Sequence, residues 1–582
     1  MRRIIIMLML FASFIATSMS AQLTTLSGQI IHRDGTPVTN AKVSIVDYDI
    51  IKTTDENGSF QFSGTNKIPY TIEIEINSYL TRKKNVYFSS DKTTLIEVKG
   101  FEVKGFEVKD SEIETIMVTA SIHDRGALEM AIPVIVLSGE ELINKRSANL
   151  GETLAQEPGV SVSSYGSGAG RPVIRGLSGS RVRTLQNGVS TLDASSTSPD
   201  HAISSEPLLA EQIEVLKGPV TLLYGGGAIG GVINVVDNRI PEKLPNNGLE
   251  GAVEARYSSA SSEKAGVARL DGGLDQWAWH VDGYKRDTKD INLPSSLGGK
   301  LTNSDISADG ATLGMSWVDK EQGFIGVSFG QYFNNYGLPA EDNADELVRL
   351  DVEQQRFDVK GTLFKPFIGI KQIKFRYGRN DYQHVELEGE EIGTTFTNKA
   401  DETRFELLHT PLNEWQGALG IQLNNRDFSA IGAEAFVPPS TTESIGVFLV
   451  EEKSFGPVSI EWGIRSDKQT VRSDNLAKSL KNDALSASMG GLWKFNLAYS
   501  FSLALARAQR PPNAEELLSN GPHLATQSFE LGNINLENET ANNIDVSLRK
   551  HQGNVKFTLN TFYNSFEQFI YEKATGNVED GL

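Results

Sequence analysis

From about residue 248 onward the chain is written in two-residue steps. In NLAYSFSLALA (496–506), Leu497, Tyr499, Phe501, Leu503 and Leu505 fall on one face of an extended strand. Ala498, Ser500, Ser502, Ala504 and Ala506 fall on the other. VKFTLNTFY (555–563) sets Val555, Phe557, Leu559 and Tyr563 against Lys556, Thr558 and Asn560, and Ile325, Val327 and Phe329 alternate with Gly326, Ser328 and Gly330. Successive side chains of a strand point to opposite faces, so this period demands strands with one apolar and one small or polar face. A soluble sandwich alternates in the same way as a transmembrane barrel, and the period alone leaves both open. A run of long strands without a helical interlude suits the barrel, which satisfies every backbone group in lipid once it closes.

The N-terminus favours the barrel. MRRIIIMLMLFASFIATSMS (1–20) has a charged start at Arg2 and Arg3, a short apolar core from Ile4 to Ile15, and small residues at Ser18 and Ser20. It reads as a signal peptide cleaved after Ser20, its core too short to span a bilayer. There is no cysteine, so neither a disulfide framework nor a lipid-anchored cysteine is available. The net charge of −19 argues against a nucleic-acid partner and suits cations or a solvated acidic surface.

Residues 22–97 carry short alternating runs, LSGQIIH, AKVSIVDY and GSFQFSG, separated by the turn pairs Asp34-Gly35 and Asn57-Gly58. With DGTPVTNAKVSIV and TTDENGSFQF the stretch resembles carboxypeptidase-regulatory-like domains, which implies a β-sandwich acting as a binding or spacer module. Residues 98–113 contain GFEVK twice and read as a linker, with an extra strand as the alternative. ETIMVTA (114–120) is a β-prone segment of the kind that adds to a partner's sheet. It resembles a TonB box, which implies that Glu114, Thr115, Ile116, Met117, Val118, Thr119 and Ala120 couple the chain to TonB and its inner-membrane energising complex.

GETLAQEPGVSV (151–162), RPVIRGLSGSRVRTLQNGV (171–189) and AEQIEVLKGPVTLLYGGGAIGGVINVV (210–236) follow in order. Together they resemble the plug of TonB-dependent receptors, here residues 121–240. Gly225 to Gly230 also satisfies G-x-G-x-x-G after the strand-like VTLLY. A dinucleotide site needs a helix to start there, whereas Gly231-Val-Ile-Asn-Val-Val reads as a strand, so the glycines are expected to serve a tight connection inside the plug. The fold class expected is mostly β: an N-terminal β-sandwich, an α+β plug domain and a transmembrane antiparallel β-barrel. Residues 248–582 hold about 15 strands at roughly ten spanning residues each. The family resemblance implies about 22. YEKATGNVEDGL ends in loop-like residues without the closing aromatic, so the barrel is expected to be partial, lacking about seven strands and unable to transport alone.

TSPDHAISSEPLLAEQIEVLKGP, RPPNAEELLSNGPHLATQSFELGNINLENETANNIDV (510–546), 381–409 and 430–452 resemble the zinc-uptake branch of these receptors. That resemblance implies Zn²⁺ as a transported ligand rather than a tightly bound cofactor, with Asp200 and His201 on an outward plug loop and His523 on a barrel loop as ligands. Zinc takes imidazole nitrogen and carboxylate oxygen, so those residue types fit. Outside a site, an Asp-His pair among serines makes a turn equally well. His384 is a further candidate, lining the lumen near Glu386 and Glu388 or packing there. In YGLPAEDNADELVRL the family's histidine-rich loop is replaced by carboxylates, of which Glu341 and Asp342 are candidate cation contacts with little selectivity. His409 reads as structural, and His32, His123, His280 and His551 have no assigned role.

The reading is an outer-membrane receptor of a Gram-negative bacterium for TonB-dependent uptake of zinc or a zinc complex. Its neighbours would be outer-membrane lipid, TonB and the metal, with no nucleic acid. The alternatives are the same machinery with a ferric siderophore, another chelate or cobalamin as cargo, and a truncated non-transporting binding protein or adhesin. No Ser/His/Asp order, paired-carboxylate signature or HExxH motif points to an enzyme.

Overall fold

The computed structural model describes residues 25–582 apart from short stretches, chiefly 33–36, 64–69, 87–95, 105–116, 121–124 and 341–346. The expected signal peptide, Glu114, Thr115 and Ile116 of the coupling segment, and Glu341 and Asp342 all lie outside the described residues. The chain forms two compact units, one within residues 1–113 together with 494–498, and one holding the remainder.

In the first unit the alternating runs become two four-stranded sheets. Thr25–His32 lies between Ser59–Ser63 and Phe101–Lys104, and Lys42–Ile45 between Ile50–Thr53 and Tyr70–Ile76. The turn at Asn57-Gly58 is built on Asp55, whose side chain accepts from the Asn57 and Ser59 amides at 2.8 Å, with Gly58 at φ +71°. Of the stretch read as a linker, residues 101–104 take the alternative reading as a strand, while 105–113 lie outside the described residues. Ile96–Val98 and Phe101–Lys104 are strands, the latter in register with Gln29–His32. An edge of Thr25–His32 would otherwise carry unpaired backbone groups, and the first GFEVK copy fills it.

In the second unit the plug is a five-stranded sheet ordered Val134–Ser138, Gln212–Lys217, Gly231–Val236, Val182–Gln186, Val189–Ser190. Leu137, Leu142, Leu154, Ile213, Val215 and Ile233 pack into its core. VTLLY is corrected: Thr221–Tyr224 is a helical turn between Gly218 (φ +88°) and Gly225 (φ +80°). These left-handed positions suit glycine and turn the chain out of the sheet. Leu222 then packs against Leu408, Ala418, Phe448 and Val450 of the surrounding strands.

Around the plug runs a fifteen-stranded antiparallel meander from Leu249–Ser258 to Phe557–Glu567, each strand hydrogen-bonded to the next. Its alternation has the polarity of a lipid-facing wall. Leu503 and Leu505 are 38% and 43% exposed while Ser500, Ser502 and Ala504 are buried. Ile325, Val327 and Phe329 are likewise exposed while Ser328 is buried. Large apolar side chains repeated over so many strands would be costly in water and are what a barrel presents to hydrocarbon. Charges pair across the space between plug and wall on buried carboxylates: Arg175–Asp545 (2.6 Å), Arg181–Glu539 (2.8 Å), Arg183–Glu402 (2.9 Å) and Arg286–Glu206 (2.7 Å). At one end the strands join by tight turns, 275–276, 320–322 and 456–457, and at the other by longer segments, 288–305 and 511–538. In outer-membrane barrels the longer connections face outward.

Candidate metal site

Strand Ile370–Glu388 turns every second residue to the lumen, so Tyr382, His384 and Glu386 share its inward face near the end with the long connections. The plug segment 192–206 reaches the same level. It is held there by Tyr336, whose hydroxyl donates to the Asp200 carbonyl (2.8 Å) and accepts from the Ala202 amide (2.9 Å). His201 is thereby fixed from both sides and projects toward the strand.

His201, His384 and Glu386 each offer one ligand atom, and these atoms lie within 4.8 Å of one another. All three residues are buried. The His201 Nε2 to Glu386 Oε1 distance is 3.2 Å, and His384 Nε2 lies 3.6 Å from the same oxygen. His201 Nδ1 lies 3.2 Å from the Ala194 carbonyl, so both of its ring nitrogens face oxygen acceptors. Two arrangements satisfy that: an imidazolium, or a neutral ring protonated on Nδ1 whose Nε2 shares a cation with Glu386. Burial works against a charge on His201, but the Asp200 and Glu386 carboxylates outweigh it and raise its pKa. His384 Nδ1 sits 2.9 Å from the Tyr382 hydroxyl, while its Nε2 is buried with no hydrogen-bond partner among the described residues. The ring stacks on Phe396 (4.5 Å, 15°) and meets His201 edge-on at 4.4 Å. Two imidazole nitrogens and one carboxylate oxygen converging on a point, each imidazole oriented through its other nitrogen, are the donor set and outer support that zinc-type cations use.

Asp200 and His201, adjacent in sequence, face different partners. The Asp200 carboxylate accepts from Ser198 Oγ, which lies 2.8 Å from His523 Nε2, and the Asp200–His523 ion pair spans 3.9 Å. His523 Nδ1 contacts Glu530 Oε1 at 2.6 Å, and its ring stacks on Phe436. Burial penalises both charges, yet each stabilises the other. Asp200 is held well below the usual carboxylate range by His201, His523 and Ser198, and His523 is pushed up to about 10 by Asp200 and Glu530. The sequence-based candidates therefore divide. His201 and His384 meet in the cluster, while Asp200 and His523 form an ion pair beside it that ties the plug segment to the connection 511–538. Glu386 supplies the oxygen expected from Asp200. Its only signal in the sequence is its spacing of two from His384. Tyr382 has the same spacing on the other side of His384, whereas Glu530 and Tyr336 carry no sequence signal of their own. Two histidines away from the cluster are paired with carboxylates: His409 meets Glu451 (3.1 Å), and His280 lies between Asp271 and Asp282, 2.8 Å from each. Farther into the lumen, a cavity of about 300 Å³ separates plug from wall, lined by Arg171, Arg183, Asp193, Asn398, Asn424 and Arg426 among others.

A plug held inside a strand wall whose large apolar side chains face outward, with a buried cluster of two histidines and a carboxylate where the two meet, has the build of an outer-membrane receptor. Residues 127–232 match the TonB-dependent receptor plug domain, 277–582 the TonB-dependent receptor-like β-barrel, and 25–99 the carboxypeptidase regulatory-like domain. The chain belongs to the TonB-dependent receptor family. It is 36% identical over 123 residues to a hemin receptor of Yersinia pestis, covering 21% of this chain and 18% of that protein. It is 26% identical over 249 residues to the vitamin B12 transporter BtuB of Photobacterium profundum, covering 41% and 39%. These matches span less than half the length of either relative. Among solved structures, the copper transporter OprC superposes with a TM-score of 0.64 over 74% of this chain and 71% of that one, at 15% identity.

Proposed function

We propose that this chain is an outer-membrane receptor that binds a zinc-type divalent cation between plug and barrel and admits it with energy delivered through TonB. The observation that carries this reading is the convergence of His201, His384 and Glu386 on one buried point. An enclosed site of that size accommodates an ion, and its mixed nitrogen and oxygen donors favour zinc-type metals over hard cations. Residues 114–120 would serve as the TonB-coupling segment and residues 1–20 as the export signal. The metal is cargo rather than resident cofactor, and the activity is transport rather than catalysis. In the purified chain, His201→Ala with His384→Ala is expected to weaken zinc binding by about a hundredfold or more in titration calorimetry. Undiminished zinc affinity would sink the proposal.

A second reading, a ferric siderophore, haem-type complex or cobalamin as cargo, is supported by the names of the hemin and vitamin B12 relatives. The same double variant separates the two. Loss of zinc-dependent growth under chelation favours the ion, and growth on a chelate that survives the substitutions favours the complex.

A further inference from the structure

Glu214 lies in the middle of the plug sheet with 0% of its surface exposed. Among the described residues its carboxylate receives five hydrogen bonds, all from uncharged donors. Oε1 accepts from the Thr119 amide (2.7 Å), Thr119 Oγ1 (2.8 Å) and Gln212 Nε2 (2.7 Å). Oε2 accepts from the Ala120 amide (2.9 Å) and Asn234 Nδ2 (3.1 Å). Three of the five donors belong to Thr119 and Ala120, the last two residues of the segment read as TonB-coupling. Two successive backbone amides closing on one anion make a binding concavity that is indifferent to side-chain identity. Here the anion is a fixed side chain, and the concavity is the piece of chain it holds. The Tyr224 hydroxyl donates to the Ala120 carbonyl at 3.0 Å, and Val118 and Ala120 are buried beside Leu185, Leu216 and Val232.

The other side of the same contact leads toward the metal cluster. Asn234 lies opposite Glu214 across the paired strands, and its Nδ2 also reaches Thr119 Oγ1 at 3.1 Å. Its Oδ1 accepts from the Gly188 amide at 2.9 Å, in the turn between Val182–Gln186 and Val189–Ser190. That hairpin runs directly into segment 192–206, which carries His201. One buried side-chain pair thus touches both the coupling segment and the turn that feeds the candidate site.

We propose that Glu214 is the catch that keeps the coupling segment docked on the plug, with Asn234 joining that catch to the strand turn leading to His201. The inference rests on the reading of 114–120 as the coupling segment. When the segment leaves, a buried carboxylate loses three of its five donors, so docked and undocked are separate states rather than a continuum.

The chain has no cysteine, so one introduced thiol reports cleanly. Val118→Cys places a small thiol in the docked segment, and in the full-length membrane-embedded chain it should react slowly with a maleimide. Adding Glu214→Gln preserves size but removes the charge, and should accelerate that reaction at least about tenfold by raising the undocked population. Leu142→Cys, on the plug helix Gly139–Lys145, should stay protected. Thr119→Val removes one donor without entering the sheet and should give a smaller acceleration, confined to the thiol at position 118. Unchanged reactivity of that thiol in both backgrounds overturns the catch. Equal acceleration of the thiol at position 142 also overturns it, because Glu214 would then support the plug as a whole. Capture of the purified TonB C-terminal domain should rise with Glu214→Gln. If the thiol at position 118 is freed and capture does not rise, the catch stands and the coupling reading of 114–120 falls.

Discussion

At the scale of single residues, the site depends on how each imidazole is turned. Tyr382 touches His384 through one hydroxyl, and that contact leaves Nε2 as the nitrogen facing His201 and Glu386. Tyr382→Phe removes the contact while keeping the ring's volume. It should weaken zinc binding by about ten- to a hundredfold, the usual cost of losing an orienting partner, with thermal stability barely changed. Calorimetry on the purified variant decides, and wild-type affinity would mean that the stack on Phe396 alone orients the ring. The residue types are legible in the sequence, since a histidine beside an aspartate in a chain with only eight histidines draws attention. Which of the two enters the cluster is not. Neighbouring side chains in an irregular segment diverge, and no periodicity reports their directions.

Among the elements, the segment carrying His201 is held in place by its packing as much as by its own turn. Gly168, between the plug strands Val160–Ser164 and Gly170–Ile174, lies against Tyr336, and a Cβ there would come within 2.3 Å of the ring. Gly168→Ala must push Tyr336 aside and with it the hydroxyl that pins Asp200 and Ala202. Overpacking of this kind costs about 1–3 kcal/mol, and zinc affinity should fall although no ligand is changed. Gly491→Ala, where a Cβ meets nothing within 4 Å among the described residues, is the matched control and should leave binding intact. Elements are readable where their period is strong, as in the long strands. VTLLY departs from its strand-like pattern because a run of five residues takes its conformation from what it packs on. The neighbouring wall makes it a helical turn, whereas FEVK, with Phe101 and Val103 alternating with Glu102 and Lys104, keeps its period as a strand on an open sheet edge.

For the molecule as a whole, the strand wall turns its large apolar side chains outward, the face that a barrel presents to lipid. Leu503→Arg, on that face, should cost up to about 2–4 kcal/mol if it sits near the bilayer midplane. Ala504→Ser, one residue away and facing inward, should be tolerated. Outer-membrane yield and heat-modifiable gel migration measure the difference, and equal yields would reverse the assignment of the two faces. The long alternating strands and the two faces of each follow from the amino-acid order alone, because alternation is a local property that survives without coordinates, and the ordered motifs add the plug through the family they resemble. The pairing of His201 with His384 and with Glu386, 185 positions away, and of Asp200 with His523, comes from the folded chain. Contacts between distant segments follow from how the plug seats in the wall, and nothing in the local order of residues encodes that seating.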